Sequence, residues 1–239
     1  MKELFFRKGG QKTAYEYRNL RMEKSVGFLK ILSYESDAFE GRHEMMERGN
    51  AVVVLPVDFL KREIYLIEQP RHLRGFAETE EGRAIFDRAR QGGWTKSEDR
   101  VTLPREAVAT FEAPAGIIDP GETAETAAVR ELCEETGLIV EESDLERIAS
   151  YYPSVGGALE RITAFFAKLP ENGTMRRVEA LSDEDIDLVT VWKLGFDDAF
   201  ALLGDGTIVT ASSHIILREL YIRDRLRERA ARDSVVRLG

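Results

Sequence analysis

Two aliphatic runs stand out against a charged background: Ala51 to Val57 (AVVVLPV) and Glu63 to Glu68 (EIYLIE), separated by Asp58 to Arg62. Short β-branched runs bounded by polar residues predict a pair of strands joined as a hairpin that enters a sheet. Val26 to Tyr34 (VGFLKILSY) predicts another strand, within a first 48 residues too poor in apolar positions to form a core alone. Residues 109–116 (ATFEAPAG) predict a strand running into a loop, and further strands are predicted at 146–152 and 161–169. Thr123 to Thr136 reads as a helix stopped by Gly137, a residue suited to the left-handed position after a helix end. Asp197 to Leu203 and Ser212 to Arg229 also read as helices, the latter with Ile215, Ile216, Leu220, Ile222 and Leu226 set against an arginine-rich outer face. Residues 77–106 are charged and small, with a short helix across Gly82 to Ala89 and a loop at Gly92 and Gly93. So polar a stretch is costly to bury and is read as an insertion at the rim. The order of elements predicts an α/β fold, a mixed sheet covered by helices over residues 49–239, preceded by a β arm over 1–48.

Composition narrows the function classes. A formal net charge of -9, from 43 acidic against 34 basic residues, provides no basic field to collect nucleic acid or anionic lipid. One cysteine, Cys133, excludes an intrachain disulfide and leaves core packing to stabilise the chain, as in a reducing compartment. Neither an apolar leader nor a run of about 18 apolar residues is present, so the expectation is a soluble, cytoplasmic protein.

The chemistry concentrates in Gly116 to Leu138, GIIDPGETAETAAVRELCEETGL, a glycine-containing loop followed by a helix bearing Arg130, Glu131, Glu134 and Glu135. Positions three and four apart share a helix side, so the three carboxylates project together and repel one another. A divalent cation is the natural partner of such a cluster, and hard oxygen donors suit Mg²⁺, with Mn²⁺ as a substitute. Cysteine and histidine form no cluster that would suit zinc. Ala124, Ala128 and Leu132, with Val129 and Cys133, form the stripe expected to pack on the sheet. Arg130, four before Glu134, is placed to hold it by a charge-assisted hydrogen bond.

In every constrained position and spacing, Gly116, Glu122, Arg130, Glu131, Leu132, Glu134, Glu135, Gly137 and Leu138 resemble the Nudix box. The resemblance implies the Nudix α/β/α sandwich with a mixed β-sheet over about residues 49–232, and metal held by Glu131, Glu134, Glu135 and the Ala115 carbonyl. Gly116, Glu122, Arg130 and Gly137 would then be the scaffold of the box.

Outside the box the chain resembles the ADP-ribose and nucleotide-sugar pyrophosphatase branch of that family. LIEQPR (Leu66 to Arg71) resembles a strand whose arginine contacts substrate phosphate, which gives that role to Arg71. FEAPAG (Phe111 to Gly116) places Glu112 near substrate or metal, with a structural role as the alternative. Pro153 follows Gly137 by sixteen residues, a spacing associated with ADP-ribose pyrophosphatases, and GGALER (Gly156 to Arg161) brings Glu160 to substrate binding. Ser154 and Val155 intervene between proline and glycine pair, where the branch usually has none. SDEDI (Ser182 to Ile186) resembles an acidic loop that carries the catalytic base in some relatives; Glu184 is preferred over Asp183, and a solvated acidic turn is the alternative.

The implied reaction is Mg²⁺-dependent attack of water on the diphosphate of ADP-ribose, giving AMP and ribose 5-phosphate. UDP-glucose and GDP-mannose are the competing substrates. The branch commonly forms homodimers that exchange N-terminal arms, which suits residues 1–48 here. A different class, a ligand-sensing regulator without catalysis, is motivated by seven arginines against four acids in residues 211–239, a modest surplus without a separate DNA-binding fold.

Overall fold

The computed structural model describes residues 17–27, 29–36, 39–91, 103, 105–170 and 189–236. The chain divides into two compact units, one of Met1–Gly49 with Ser154–Glu160 and one of Asn50–Pro153 with Arg161–Gly239.

In the first unit, β1 (Tyr17–Val26), β2 (Leu29–Ser36) and β3 (Phe39–Glu47) form an antiparallel meander. The single strand predicted from Val26 to Tyr34 is divided: Gly27, at φ 56°, turns the chain between β1 and β2. Only a residue without a Cβ takes that left-handed conformation at no steric cost. Ser154–Glu160 joins this unit through Met46 N–H to the Gly157 carbonyl and Leu159 N–H to the Met46 carbonyl, both 2.8 Å.

The second unit is built on β4 (Ala51–Asp58), β5 (Glu63–Pro70), β6 (Ala109–Glu112), β7 (Ala115–Ile117), β8 (Leu145–Tyr151), β9 (Ile162–Lys168) and β10 (Thr190–Gly195). They form a seven-stranded mixed sheet in the order β10-β5-β4-β9-β8, parallel only between β4 and β9. The β4–β5 hairpin is paired only next to its turn, at Val57↔Ile64 and Asp58↔Glu63. Beyond that point the strands separate, and the next stretch of chain fills the gap: β6 pairs with β5 (Ile67↔Glu112, Gln69↔Thr110) and β7 with β4 (Val52↔Gly116, Val53↔Ala115).

Alternation along the strands divides the core into two layers. Val53, Leu55 and Val57 of β4, with Ala164 and Phe166 of β9, pack against α5 (Phe196–Gly204) and α6 (Ala211–Val236) through Phe196, Ala199, Ile216, Leu217 and Leu220. Val52 and Val54, with Phe165 and Ala167, face the other way onto Ala127, Ala128 and Leu132 of α4 (Ala124–Thr136). A period of two on the strands meets a period near 3.6 on the helices, which produces the α/β/α sandwich. The Thr123 hydroxyl caps α4 by accepting the Thr126 N–H at 3.0 Å, and Gly137, at φ 69°, ends it.

Several boundaries differ from expectation. β10, unnamed in the sequence reading, adds an edge strand beside β5. The 77–106 region contains α2 (Glu80–Arg90) and reaches α3 (Arg105–Val108), while α1 (His72–Glu78) begins before it. Gly92 and Gly93 lie outside the described residues. The buried stripe of α6 is Ile216, Leu217 and Leu220; Ile215, Ile222 and Leu226, expected with them, are exposed. Three of the arginines of α6 are occupied locally: Arg223 with Glu146 and Glu219, Arg225 with Asp197 and Glu228, and Arg227 over the Phe59 ring. Ser213, Ile216, Leu217, Leu220 and Asp224 recur three and four positions apart on the buried side of α6, and Ile215, Ile222 and Leu226 lie on another side.

Leu55 lies wholly buried between β4 and α6. Leu55→Ala is expected to cost about 2–5 kcal/mol, the range for a buried leucine whose cavity only partly collapses, measured by urea denaturation. A cost under about 0.5 kcal/mol, the range of an ordinary surface change, would contradict this packing.

Candidate active site

The gap between β4 and β5 places backbone where two strands would otherwise pair, and this backbone is pinned from three elements. Val54 N–H of β4 donates to the Pro114 carbonyl at 2.8 Å. Ser213 of α6 accepts the Ala113 N–H at 2.9 Å. Glu135 of α4 accepts the Ala115 N–H at 2.9 Å. The segment from Ala113 to Ala115 is thus held in register with the helix that carries the carboxylates.

Gly116 lies opposite Val52, on the α4 face of the sheet, and the Glu131 carboxylate occupies the space a side chain would need: an added Cβ would come within 2.0 Å of it. Burial dominates the ionisation of both inward carboxylates. It raises Glu131 against the opposing pull of Arg130, and it pushes Glu135 up to about 8. Arg71 lowers the Glu135 value and Glu112 and Glu131 raise it, so each of the three is within electrostatic reach of Glu135. Glu134 differs, with its side chain 57% exposed.

Arg130 ties the loop to the helix. Its Nε and Nη2 donate to the two oxygens of Glu122, each at 2.9 Å, and Nη2 also donates to the Ile117 carbonyl at 3.0 Å. Nη1 donates to Glu131 at 2.7 Å and to Glu134 at 3.1 Å. All five guanidinium protons therefore have an acceptor, and Glu122 in return is held down at about 2 by Arg130 and the Asp119 N–H.

Arg71, just past β5, donates from Nε and Nη2 to Glu112 at 2.9 and 2.6 Å. Glu112 is buried and also contacts Thr110 and Gln69, two residues that sequence reasoning did not single out. Thr110 carried a signal, since it sits two before Glu112 on one strand face; Ser213 carried none, because its partner lies a hundred residues away. Glu160 belongs to the N-terminal unit, 3.4 Å from Arg48. Glu184 and Asp183 lie outside the described residues.

A divalent ion fits the donor chemistry of this site. Glu131, Glu135 and the Ala115 carbonyl are hard oxygen donors, and burial makes both carboxylates costly to ionise without a cation. The fit is not a ready-made cage: among the described residues no three acidic, histidine or cysteine groups are grouped at metal-binding geometry, and Arg130 holds Glu131.

Comparison with known proteins identifies the family. The family model of the NUDIX domain matches residues 89–202. The ADP-ribose pyrophosphatase of Escherichia coli (strain K12) is 31% identical over 183 residues, 77% of this chain and 73% of the relative. The chain belongs to the Nudix family. Within the family it falls in the ADP-ribose and nucleotide-sugar pyrophosphatase branch, and it is a hydrolase acting on pyrophosphate bonds. The uridine diphosphate glucose pyrophosphatase of Mus musculus is 30% identical over 177 residues, 71% of this chain and 76% of the relative. The GDP-mannose pyrophosphatase of Pectobacterium atrosepticum is 32% identical over 113 residues, 47% of this chain and 55% of the relative. Nudix hydrolases generally use divalent metal ions.

Two predictions follow from the geometry of this Nudix site. Gly116→Ala should leave the fold intact by circular dichroism, because the obstructing atoms are the movable end of Glu131, yet reduce turnover by about tenfold or more, a barrier change of about 1.4 kcal/mol; full activity would show that the Glu131 position is not needed. Second, between its ordinary value of 4.5 and its folded value of about 8, Glu135 keeps a proton in the folded state that the unfolded chain has released. Stability of chelator-treated protein should therefore fall as pH rises through that interval, and Glu135→Gln should flatten the slope. An unchanged slope in the variant would assign it to other groups.

Proposed function

We propose that this Nudix hydrolase uses Mg²⁺ to cleave the diphosphate bond of ADP-ribose to AMP and ribose 5-phosphate. The observation that carries the reading is the meeting of Glu131, Glu135 and the Ala115 backbone with Arg71 on one face of the sheet, donors for a cation beside a donor for phosphate. The Escherichia coli relative that bears the ADP-ribose name aligns over most of its length, and Pro153 stands at the spacing associated with that substrate. UDP-glucose and GDP-mannose are the alternatives, since relatives of both names also match.

Glu131, Glu135 and the Ala115 carbonyl would hold the ion, with exposed Glu134 completing the donor set. Bound there, the ion would neutralise phosphate charge and lower the pKa of the attacking water. Arg71 stabilises charge on a non-bridging phosphate oxygen. Glu184, or a box glutamate, accepts the proton of the water. Arg130 keeps loop and helix in register through its five donors. Reading the chain as a regulator without catalysis gains no support from Arg223 and Arg225 of α6, which are paired within the unit.

Assembly and location form part of the proposal: two copies pair through their N-terminal arms, where Leu20 and Met22 are exposed, in the cytoplasm. Among the described residues no helix is long and apolar enough to cross a membrane.

Purified protein should release nucleoside monophosphate from ADP-ribose faster than from UDP-glucose, GDP-mannose, NADH or dinucleoside polyphosphates, and chelation should stop it. Glu135→Gln should lower kcat by more than about tenfold, a loss of roughly 1.4 kcal/mol of transition-state stabilisation. Preference for another nucleotide sugar would remove the ADP-ribose assignment and keep the mechanism; Glu135→Gln at near wild-type kcat would remove the mechanism.

A further inference from the structure

Arg71 has a guanidinium with two hydrogen-bonding edges, and the structure accounts for one of them. The Nε–Nη2 edge is spent on Glu112, at 2.9 and 2.6 Å. Among the described residues no hydrogen bond is made by Nη1, and 47% of the Arg71 side chain is exposed. Three of the five N–H groups are thus available, and two of them, one on each Nη, form the Nη1–Nη2 edge whose fork matches two oxygens of a phosphate.

Glu112 is the fixed end of this pair, with a side chain only 4% exposed. Its register opposite Ile67 places it two residues from Thr110 on the same strand face, and Thr110 is paired with Gln69. The buried Thr110 hydroxyl lies against Glu112 Oε1, with the Gln69 carbonyl 3.3 Å from it. On the other carboxylate oxygen, the Gln69 amide stands at 3.5 Å. The backbone of Arg71 is held as well, by its N–H to the Val108 carbonyl at 2.6 Å. A carboxylate that is buried, braced on both oxygens and saturated by an arginine has no oxygen left to meet a polyanionic substrate.

We infer that Thr110 and Glu112 are positioning residues, which together orient Arg71 so that its Nη1–Nη2 edge is presented to the diphosphate of the substrate. This rests on the reading of Arg71 as the phosphate-binding arginine, and it moves Glu112 from substrate contact to support. The burial of Glu112 makes the arrangement specific. An arginine held by a solvated carboxylate would exchange it readily for substrate phosphate, whereas here exchange would strand a buried charge. Arg71 therefore keeps Glu112 and offers its other edge.

The test compares Thr110→Val, Thr110→Ser, Glu112→Gln and Arg71→Lys, reading kcat, KM for the fastest substrate of the panel, and inhibition by inorganic pyrophosphate. Thr110→Val should raise KM and the pyrophosphate inhibition constant by about tenfold, the size of a lost hydrogen bond to a charged group, while kcat changes less. Thr110→Ser, which restores the hydroxyl, should return both to near wild type. In the Arg71→Lys background Thr110→Val should add nothing, because the fork it orients is gone. Full additivity there, failure of serine to rescue, or wild-type KM in folded Thr110→Val would overturn the inference. Should Thr110→Val fail to fold, Glu112→Gln is judged by the same criteria. Wild-type KM and inhibition in Arg71→Lys would instead remove the phosphate role of Arg71, whatever Thr110 does.

Discussion

The separation of β4 from β5 is the constraint on which the rest of the catalytic unit depends. Paired strands satisfy their backbone N–H and C=O groups, and strands that part must find other partners or strand those groups in the core. Here β6 and β7 supply the partners, and the two residues between them cross the gap. Backbone from residues 112–115 is thereby carried to the centre of the sheet, where a continuous hairpin would have had no place for it. Glu112 and Ala115 enter the site for this reason rather than through any property of their own side chains.

Two arginines then arrange the charge. Arg130 is wholly consumed, each of its five protons accepted by loop or helix, so it serves as a connector. Arg71 is half consumed, and its remaining edge is the feature that distinguishes it. Between them, Glu131 and Glu135 sit in an environment that disfavours their ionisation, a cost that a bound cation offsets. A pyrophosphatase needs such an arrangement, since its substrate brings several negative charges to a site already lined by carboxylates.

Nothing in this arrangement selects one sugar or one base, which is consistent with relatives that bear three different substrate names. The proposed site, built on the sheet, the box helix and Arg71, would address what nucleoside diphosphate sugars share. Discrimination among them has to come from groups that meet the base and the sugar.

Much of this was legible in the sequence. Strands β4, β5, β8 and β9 and helix α4 with its glycine stop follow from periodicity and spacing, because each depends on residues within a few positions of one another. The family was legible because the box fixes residue types at set intervals. The division at Gly27 was written there too, in a glycine set between two apolar runs, but a lone glycine does not distinguish a turn from a tolerated strand position. What only the tertiary structure decided involves partners far apart in the chain: that β4 and β5 part, that Glu131 fills the space beside Gly116, that Glu112 spends itself on Arg71, and that Ser213 holds Ala113. The exposed side of α6 belongs to the same group: Ile215, Ile222 and Leu226 form an apolar side of their own, and only the packed chain shows that the sheet meets the side bearing Ile216, Leu217 and Leu220 instead. Local spacing determines which residues share a face; only the packed chain determines what that face meets.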